Sequence, residues 1–268
     1  MPEEPVYADN MRHIRNYENF CPICPHCEKR NYFNRADDFE TFRPIAHMIV
    51  SCQFDDCRKE FHINADLVNS KYEYLIYDCS ELMKHKQYMY CILNLCQACE
   101  AYFSLYIRAK LVFDSFQKRI FESLEQLNRV LNDLHDNLSQ LSYLRLRNFV
   151  INHFLISPEI NSIDEIQEQV RLLLNRDFTN TPPRENLNVI GPDDLRRRFL
   201  LLYDFDIHEI RNKVVHASAY RPSREVVDNY YNKTREIIFG IDRHFRIDDD
   251  INNYRRALQN PLIFEVFV

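Results

Sequence analysis

The chain has 268 residues, with 34 Lys and Arg against 40 Asp and Glu, and 46% of its residues are apolar. Its only glycines, Gly191 and Gly240, lie far apart, which excludes glycine-rich phosphate loops and a nucleophile elbow, since each of these needs closely spaced glycines. The formal charge of −6 excludes a polybasic protein of the histone type. Scarce glycine also disfavours an all-β fold, so we expect a mainly α protein.

The first ten residues, MPEEPVYADN, are acidic and lack the apolar core of a signal peptide. The longest uncharged stretch runs from Gln87 to Cys99, which is too short to span a bilayer. We therefore expect a soluble, cytoplasmic protein with no membrane partner. In that compartment its nine cysteines are expected to be reduced thiols and metal ligands.

Two close pairs of cysteines form the first motif of the chain. The first pair is separated from the second by 24 residues, and the four are Cys24, Cys27, Cys52 and Cys57. Two pairs on tight turns can hold Zn²⁺ tetrahedrally, and four thiolates leave no open position, so we expect a structural zinc ion. Segments 48–50 and 61–63 flank the second turn as the strands of a β-hairpin would.

Cys21 lies three residues before Cys24, so the pair Cys21 and Cys24 is an alternative to Cys24 and Cys27. The C-P-x-C turn with an aromatic residue after it resembles a zinc-ribbon knuckle, which favours Cys24 and Cys27. We assign residues 1–64 to a lead-in and a zinc-ribbon-like module with short β-hairpins. Residues 65–268 are assigned to an α-helical bundle.

Apolar residues recur at helical spacing from residue 75 to 113 and again from 116 to 154. Cys96 and Cys99 lie within the first of these runs, where cysteine usually behaves as a small core residue. Ser162 and Glu165 form a possible capping box, which predicts a helix that extends to Leu174.

Residues 177–192 contain three prolines and one glycine, which predicts a loop. Pro192 with two following aspartates favours the start of a helix that extends to about Ala219. After Pro222 a last helix is expected from Arg224 to Phe239. The apolar chain end, residues 261–268, is expected to dock on the bundle or on a second subunit.

The helix expected after Pro192 carries the second motif. His208, Asn212 and His216 are four residues apart, so they lie on one helix face. Asn212 can hydrogen-bond the imidazole of His216, and Arg211 can reach the same opening. An arginine beside an oriented histidine suits phosphodiester chemistry, because histidine moves protons near neutral pH and a guanidinium stabilises charge at phosphorus.

Arg211-Asn212-x3-His216 resembles the R-x4-6-H signature of the HEPN superfamily (higher eukaryotes and prokaryotes nucleotide-binding). The segment 95–103 is similar, less specifically, to the first long helix of that family, and the resemblance covers roughly residues 85–245. It implies a HEPN-like helical bundle that forms a homodimer with both motifs in one cleft. Arg211, Asn212 and His216 are then the active-site residues of a metal-independent endoribonuclease.

Many members of this family are effectors of toxin–antitoxin, CRISPR or phage-defence systems. The resemblance therefore implies RNA as substrate and an antitoxin or other regulatory protein as a possible partner. Other members have lost catalysis, so the alternative function is a zinc-ribbon/HEPN adaptor that binds a nucleic acid, a nucleotide or a protein.

Two further surfaces have alternative interpretations. Basic residues near the motif either form a local RNA-binding surface or a solvated face balanced by aspartates; they are Arg196, Arg197, Arg198, Lys213, Arg221 and Arg224. Three tyrosines either stack bases or pack in the core or an interface; they are Tyr220, Tyr230 and Tyr231.

Overall fold

The computed structural model describes residues 19–20, 22–39, 48–63, 71–217 and 220–245. They fall into two compact units, one within the first 70 residues and one that begins at Lys71. The strands lie in the first unit and the long helices in the second, which confirms the expected mainly α fold with a short hairpin. Among these residues, no helix is long and apolar enough to cross a membrane.

The first unit contains two short antiparallel ribbons. Strand β1 (Asn19–Phe20) pairs with β2 (Phe33–Asn34), which one π-helical turn follows (Arg35–Phe39). Strand β3 (Met48–Ser51) pairs with β4 (Glu60–Ile63), so the hairpin predicted around the second cysteine pair is confirmed. Side chains of β4 alternate between buried and exposed, as a strand with one covered face requires.

The second unit consists of helices. In chain order they are α1 (Lys71–Lys84), α2 (Tyr88–Arg108), a π-helical turn (Ala109–Phe113), α3 (Asp114–Gln117), α4 (Leu124–Ser139), α5 (Tyr143–Ile156), α6 (Ile163–Leu172), a 3₁₀-helix (Arg184–Val189), α7 (Asp193–Tyr203), α8 (Ile207–His216) and α9 (Arg224–Phe245).

Helix α2 lies at the centre of this unit. It packs against α1, α5, α8 and α9, and its sequence is apolar around most of its circumference, as a buried helix requires. Cys96 and Cys99 are buried in it, which confirms that they are core residues. The capping box of α6 is also confirmed, because the Ser162 hydroxyl accepts from the Glu165 N–H at 3.3 Å and the Glu165 carboxylate accepts from the Ser162 N–H at 3.2 Å.

Several predicted helix boundaries were wrong. The run from 75 to 113 is interrupted at residues 85–87, the run from 116 to 154 is interrupted at 118–123 and at 140–142, and the helix at Ser162 ends at Leu172. The predicted loop at 177–192 contains the 3₁₀-helix, and α9 continues past Phe239 to Phe245. Residues 1–18 and 246–268, including the apolar chain end, lie outside the described residues.

The helix predicted from Pro192 to Ala219 is two helices, α7 and α8, separated at residues 204–206. No proline or glycine marks this break. The buried guanidinium of Arg147, on α5, donates to the carbonyls of Tyr203 at 3.1 Å and Phe205 at 3.4 Å. The Tyr230 hydroxyl, on α9, donates to the Asp206 carboxylate at 2.7 Å. The Arg147 contacts satisfy backbone carbonyls that a continuous helix would satisfy internally, and the Tyr230 contact links Asp206 to α9, so both stabilise the turn.

Candidate functional site

The four predicted cysteines converge in the N-terminal unit. The sulfurs of Cys24 and Cys57 are 3.8 Å apart and those of Cys27 and Cys52 are 3.6 Å apart. All four lie within 4.8 Å of one another, so the cluster can hold a metal ion. Cys21, the alternative ligand, lies outside the described residues.

The two cysteine turns share one backbone feature. The residue after the second cysteine of each pair has a positive φ, 59° at Glu28 and 48° at Arg58. The Glu28 N–H donates to the Cys24 carbonyl at 2.9 Å, and the Arg58 N–H donates to the Phe54 carbonyl at 3.0 Å. A backbone hydrogen bond therefore closes each turn directly after its second cysteine. Glycine is the residue that this left-handed conformation favours, but neither Glu28 nor Arg58 is a glycine.

Polar contacts join the two cysteine turns. The Gln53 side chain accepts from the Tyr32 N–H at 2.8 Å and donates to the Tyr32 carbonyl at 2.7 Å, which imitates a strand pairing. Lys29 forms an ion pair with Asp56 at 2.5 Å. Burial opposes ionisation of the Cys24 thiol, but the backbone N–H groups beside it outweigh that effect and lower its pKa to about 7. The backbone at Lys29 favours ionisation of Cys27, but burial and the neighbouring thiols outweigh it and raise the pKa of Cys27 to about 12. A thiolate is the form that binds a metal, so these contacts favour that form at Cys24 and oppose it at Cys27.

A second site lies in the helical unit, where a cavity of about 260 Å³ opens between three helices. Its residues come from α2, from the start of α5 and from α8; they are Cys96, Glu100, Ser142, Tyr143, Leu144, His208, Arg211 and Asn212. Two of the three motif residues thus line one cavity. The third, His216, is exposed at the last residue of α8 and does not line it.

Arg211 is the cation among the described residues that line this cavity. Its side chain is exposed, and its guanidinium donates to the Asn212 side-chain oxygen at 3.1 Å. Within the described ranges no carboxylate lies within ion-pair distance of it. The Asn212 amide, which was expected to orient His216, is thus held by Arg211. The remaining guanidinium N–H groups are available to an anion.

The basic run on α7 differs from Arg211 because acidic residues neutralise it. Arg196 pairs with Asp193 at 2.5 Å, and Arg197 and Arg198 both pair with Asp194 and Glu236. Of the two interpretations, the solvated face whose positive charges are balanced by acidic residues therefore describes these three arginines. The tyrosines divide similarly: Tyr230 is buried, whereas Tyr220 and Tyr231 are partly exposed.

The acidic residue of the cavity, Glu100, was missed by sequence reasoning. It lies on α2, where burial raises the pKa of its carboxyl and the charge of Arg211 partly offsets the rise. The sequence does contain a signal for it, because Glu100 is the only charged residue between Gln87 and Ile107. A lone charge in an apolar helix has to face an opening or a partner.

His208 forms an aromatic wall of the same cavity. Its ring stacks on Tyr143 with centroids 5.5 Å apart and planes 16° apart. Burial lowers the pKa of His208, and the charge of Arg147 lowers it further, so the imidazole is neutral at pH 7. Its Nδ1 is buried without a hydrogen-bond partner in the described part of the chain.

No protein-family model, curated protein or solved structure matches this chain. The resemblance to the HEPN superfamily therefore rests on Arg211-Asn212-x3-His216, and it stays a prediction. So do RNA as substrate, the homodimer and a regulatory partner.

Proposed function

We propose that the protein is a metal-independent endoribonuclease whose active site lies on α8, with Arg211, Asn212 and His216 as its residues. The observation that carries this proposal is the state of Arg211. Its guanidinium is exposed at a cavity, is held by Asn212, and forms no ion pair with a described carboxylate, although Glu100 lines the same cavity, whereas the arginines of α7 are ion-paired. A phosphodiester is the anion that suits such a group.

The reaction is an in-line transfer at phosphorus. Arg211 binds the scissile phosphate and stabilises the charge that develops on its oxygens. His216 accepts the proton of the ribose 2′-hydroxyl, the 2′-oxygen bonds to phosphorus, and the bond from phosphorus to the 5′-oxygen breaks. The leaving oxygen takes a proton from a second imidazole, which in a homodimer is His216 of the partner subunit. The products are a 2′,3′-cyclic phosphate and a 5′-hydroxyl.

The cavity beside Arg211 provides room for a nucleotide next to the cleaved bond. The stacked pair of Tyr143 and His208 forms an aromatic wall against which a base can lie. Asn212 positions the arginine through the 3.1 Å hydrogen bond between them. We further propose that such an enzyme acts as a toxin or phage-defence effector restrained by an antitoxin or other regulatory protein, since unrestrained RNA cleavage harms the cell that makes it.

For the four-cysteine cluster we propose structural Zn²⁺. Bonds of about 2.3 Å from a tetrahedral zinc ion to sulfur imply sulfur separations of about 3.8 Å. Two of the six separations, 3.6 and 3.8 Å, match that value, and all six are within 4.8 Å. The ion supplies folding free energy to a unit in which few of the described residues are buried and apolar. Protein purified without chelator should hold about one zinc ion per chain, and Cys52→Ser should lose it.

The nuclease proposal is tested by cleavage of a labelled RNA with matched variants. His216→Ala and Arg211→Ala should each lower the rate by about 10²–10⁴. Asn212→Ala should have a smaller effect because Asn212 only positions its neighbour. The controls are Arg129→Ala and His85→Ala, both at exposed positions elsewhere, and they should cleave at the wild-type rate. Sedimentation should show a dimer, and a strict monomer that still cuts RNA would rule out the shared cleft.

A non-catalytic adaptor is the second candidate function. The ion pairs of Arg196, Arg197 and Arg198 favour it, because they reduce the positive surface that RNA binding uses. An adaptor has no need of an exposed arginine beside an asparagine and a histidine. If the double variant Arg211→Ala/His216→Ala degrades RNA as well as the wild type, or if the wild type never degrades it, the adaptor is the better description.

A further inference from the structure

A second cavity, of about 180 Å³, lies elsewhere in the helical unit. Its residues come from the end of α2 and the π-helical turn, from α3 and the residue after it, from the end of α5 with the segment after it, and from the end of α9; they include Tyr106, Lys110, Lys118, His153, Phe154 and Phe245. None of these residues takes part in the proposed nuclease site.

Two ammonium groups give this cavity a positive charge. Lys110 forms an ion pair with Asp114 at 2.9 Å, and its side chain is only 20% exposed. Lys118 donates to the Ile160 carbonyl at 3.1 Å. An ammonium group has three protons, so each lysine keeps donors for a ligand. Two lysines and one aspartate leave a net charge of +1 among these groups.

Two buried polar groups at the cavity lack partners. His153 is 6% exposed and Ser115 is 1% exposed. The Nε2 atom of His153 and the hydroxyl of Ser115 have no hydrogen-bond partner within the described ranges. Buried polar groups are nearly always satisfied, by protein, by water or by a ligand. Burial, together with the charge of Lys110, lowers the pKa of His153 to about 4, so its imidazole is neutral and can donate one N–H.

The backbone at this cavity is irregular. Residues Ala109–Phe113 form one π-helical turn between α2 and α3, and this turn carries Lys110. Single π-helical turns within α-helices occur frequently at functional sites, because they change the direction of the side chains that follow. The rings beside Lys110 form an aromatic wall: the Lys110 Nζ lies 5.3 Å from the Phe245 ring centroid, Phe154 and Phe245 are in edge-to-face contact at 5.5 Å, and Tyr106 makes the same contact with Phe245.

We propose that this cavity binds a small phosphate monoester. The phosphate lies between Lys110 and Lys118, and small side-chain movements bring the Ser115 hydroxyl and the His153 N–H to its oxygens. The organic part of the ligand lies against the aromatic wall. Four donors, two of them cationic, match a phosphate with three terminal oxygens better than they match a carboxylate with two. Asp114 holds Lys110 in place.

The test is calorimetric titration of the full chain with phenyl phosphate, inorganic phosphate and benzoate. Phenyl phosphate should bind saturably and more tightly than inorganic phosphate, because only it reaches the aromatic wall, and more tightly than benzoate. Lys118→Met changes an exposed residue and should weaken binding by about tenfold or more. Lys84→Met, also at an exposed lysine, is the control and should bind as the wild type does.

Three results would overturn the proposal. The first is no saturable binding of phenyl phosphate up to about 10 mM. The second is unchanged affinity in Lys118→Met, and Ser115→Ala provides the same test from inside the cavity. The third is loss of binding in Arg211→Ala, which would place the ligand at the nuclease site instead. Retained binding in Arg211→Ala supports the proposal whether or not the protein cleaves RNA.

Discussion

A buried arginine, Arg147, stabilises the turn between α7 and α8, so Arg147→Met is expected to destabilise the helical unit strongly. The guanidinium donates to three acceptors, which are the carbonyls of Tyr203 and Phe205 and the side-chain oxygen of Asn148 at 3.0 Å. Methionine fills much of the same space and donates no hydrogen bond. In Arg147→Met the carbonyls of Tyr203 and Phe205 therefore lose the buried hydrogen-bond donor that satisfies them.

The size of the effect follows from these contacts. Each buried acceptor left without a partner costs about 1–3 kcal/mol. Removing the arginine also removes the cost of burying its charge, which is the cost that lowers the pKa of Arg147. We therefore expect a net loss of about 3 kcal/mol in the free energy of unfolding, below the sum of three unmet acceptors.

Urea unfolding followed by circular dichroism at 222 nm measures this loss. The control is Arg129→Met, whose ion pair with Glu125 is exposed and should contribute less than about 1 kcal/mol. Because α8 carries Arg211 and His216, Arg147→Met should also slow any RNA cleavage. A loss below about 1 kcal/mol in Arg147→Met would refute the account of this turn.

Three other predictions concern the backbone and pH. Glu28→Gly and Arg58→Gly should each stabilise the N-terminal unit against chelator by up to about 1 kcal/mol, because glycine adopts a positive φ without strain; faster metal loss would contradict this. Gly240→Ala should destabilise α9 by about 1–3 kcal/mol in urea, since the new Cβ would lie 2.7 Å from the Arg198 side chain, and the same change should stabilise an Arg198→Ala background. The pKa of His153 is lowered in the folded state, so the neutral imidazole adds to the free energy of unfolding above pH 6.5. This contribution is lost as the pH falls toward 4. That loss should reach about 3 kcal/mol and be absent in His153→Gln.

The features predictable from the sequence are those encoded by neighbouring residues. Two cysteine pairs and the strands around the second one are local patterns, and the structure brings all four sulfurs together. The capping box of Ser162 and Glu165 is local in the same way. The burial of Cys96 and Cys99 follows from the apolar helix that contains them.

The features that sequence reasoning missed depend on distant contacts. The break between α7 and α8 is stabilised by Arg147 on α5 and Tyr230 on α9, and nothing at residues 204–206 reveals either of them. The cavity at Arg211 includes Glu100, which precedes it by more than one hundred residues. Position 240 in α9 is a glycine because the Arg198 side chain occupies the space that a Cβ at this position would need. Contacts between residues so far apart in the sequence form only in the folded chain, so local sequence patterns do not reveal them.

The most direct test of the central claim is an analysis of product ends after incubation of the wild-type protein with RNA in EDTA, for a time over which the four-cysteine cluster retains its metal. The account predicts cleavage products that end in a 2′,3′-cyclic phosphate or its 3′-phosphate, no cleavage of the same sequence made with 2′-deoxyribose, and no products from Arg211→Ala/His216→Ala. Intact RNA with the wild type, or the same products from the double variant, would contradict it.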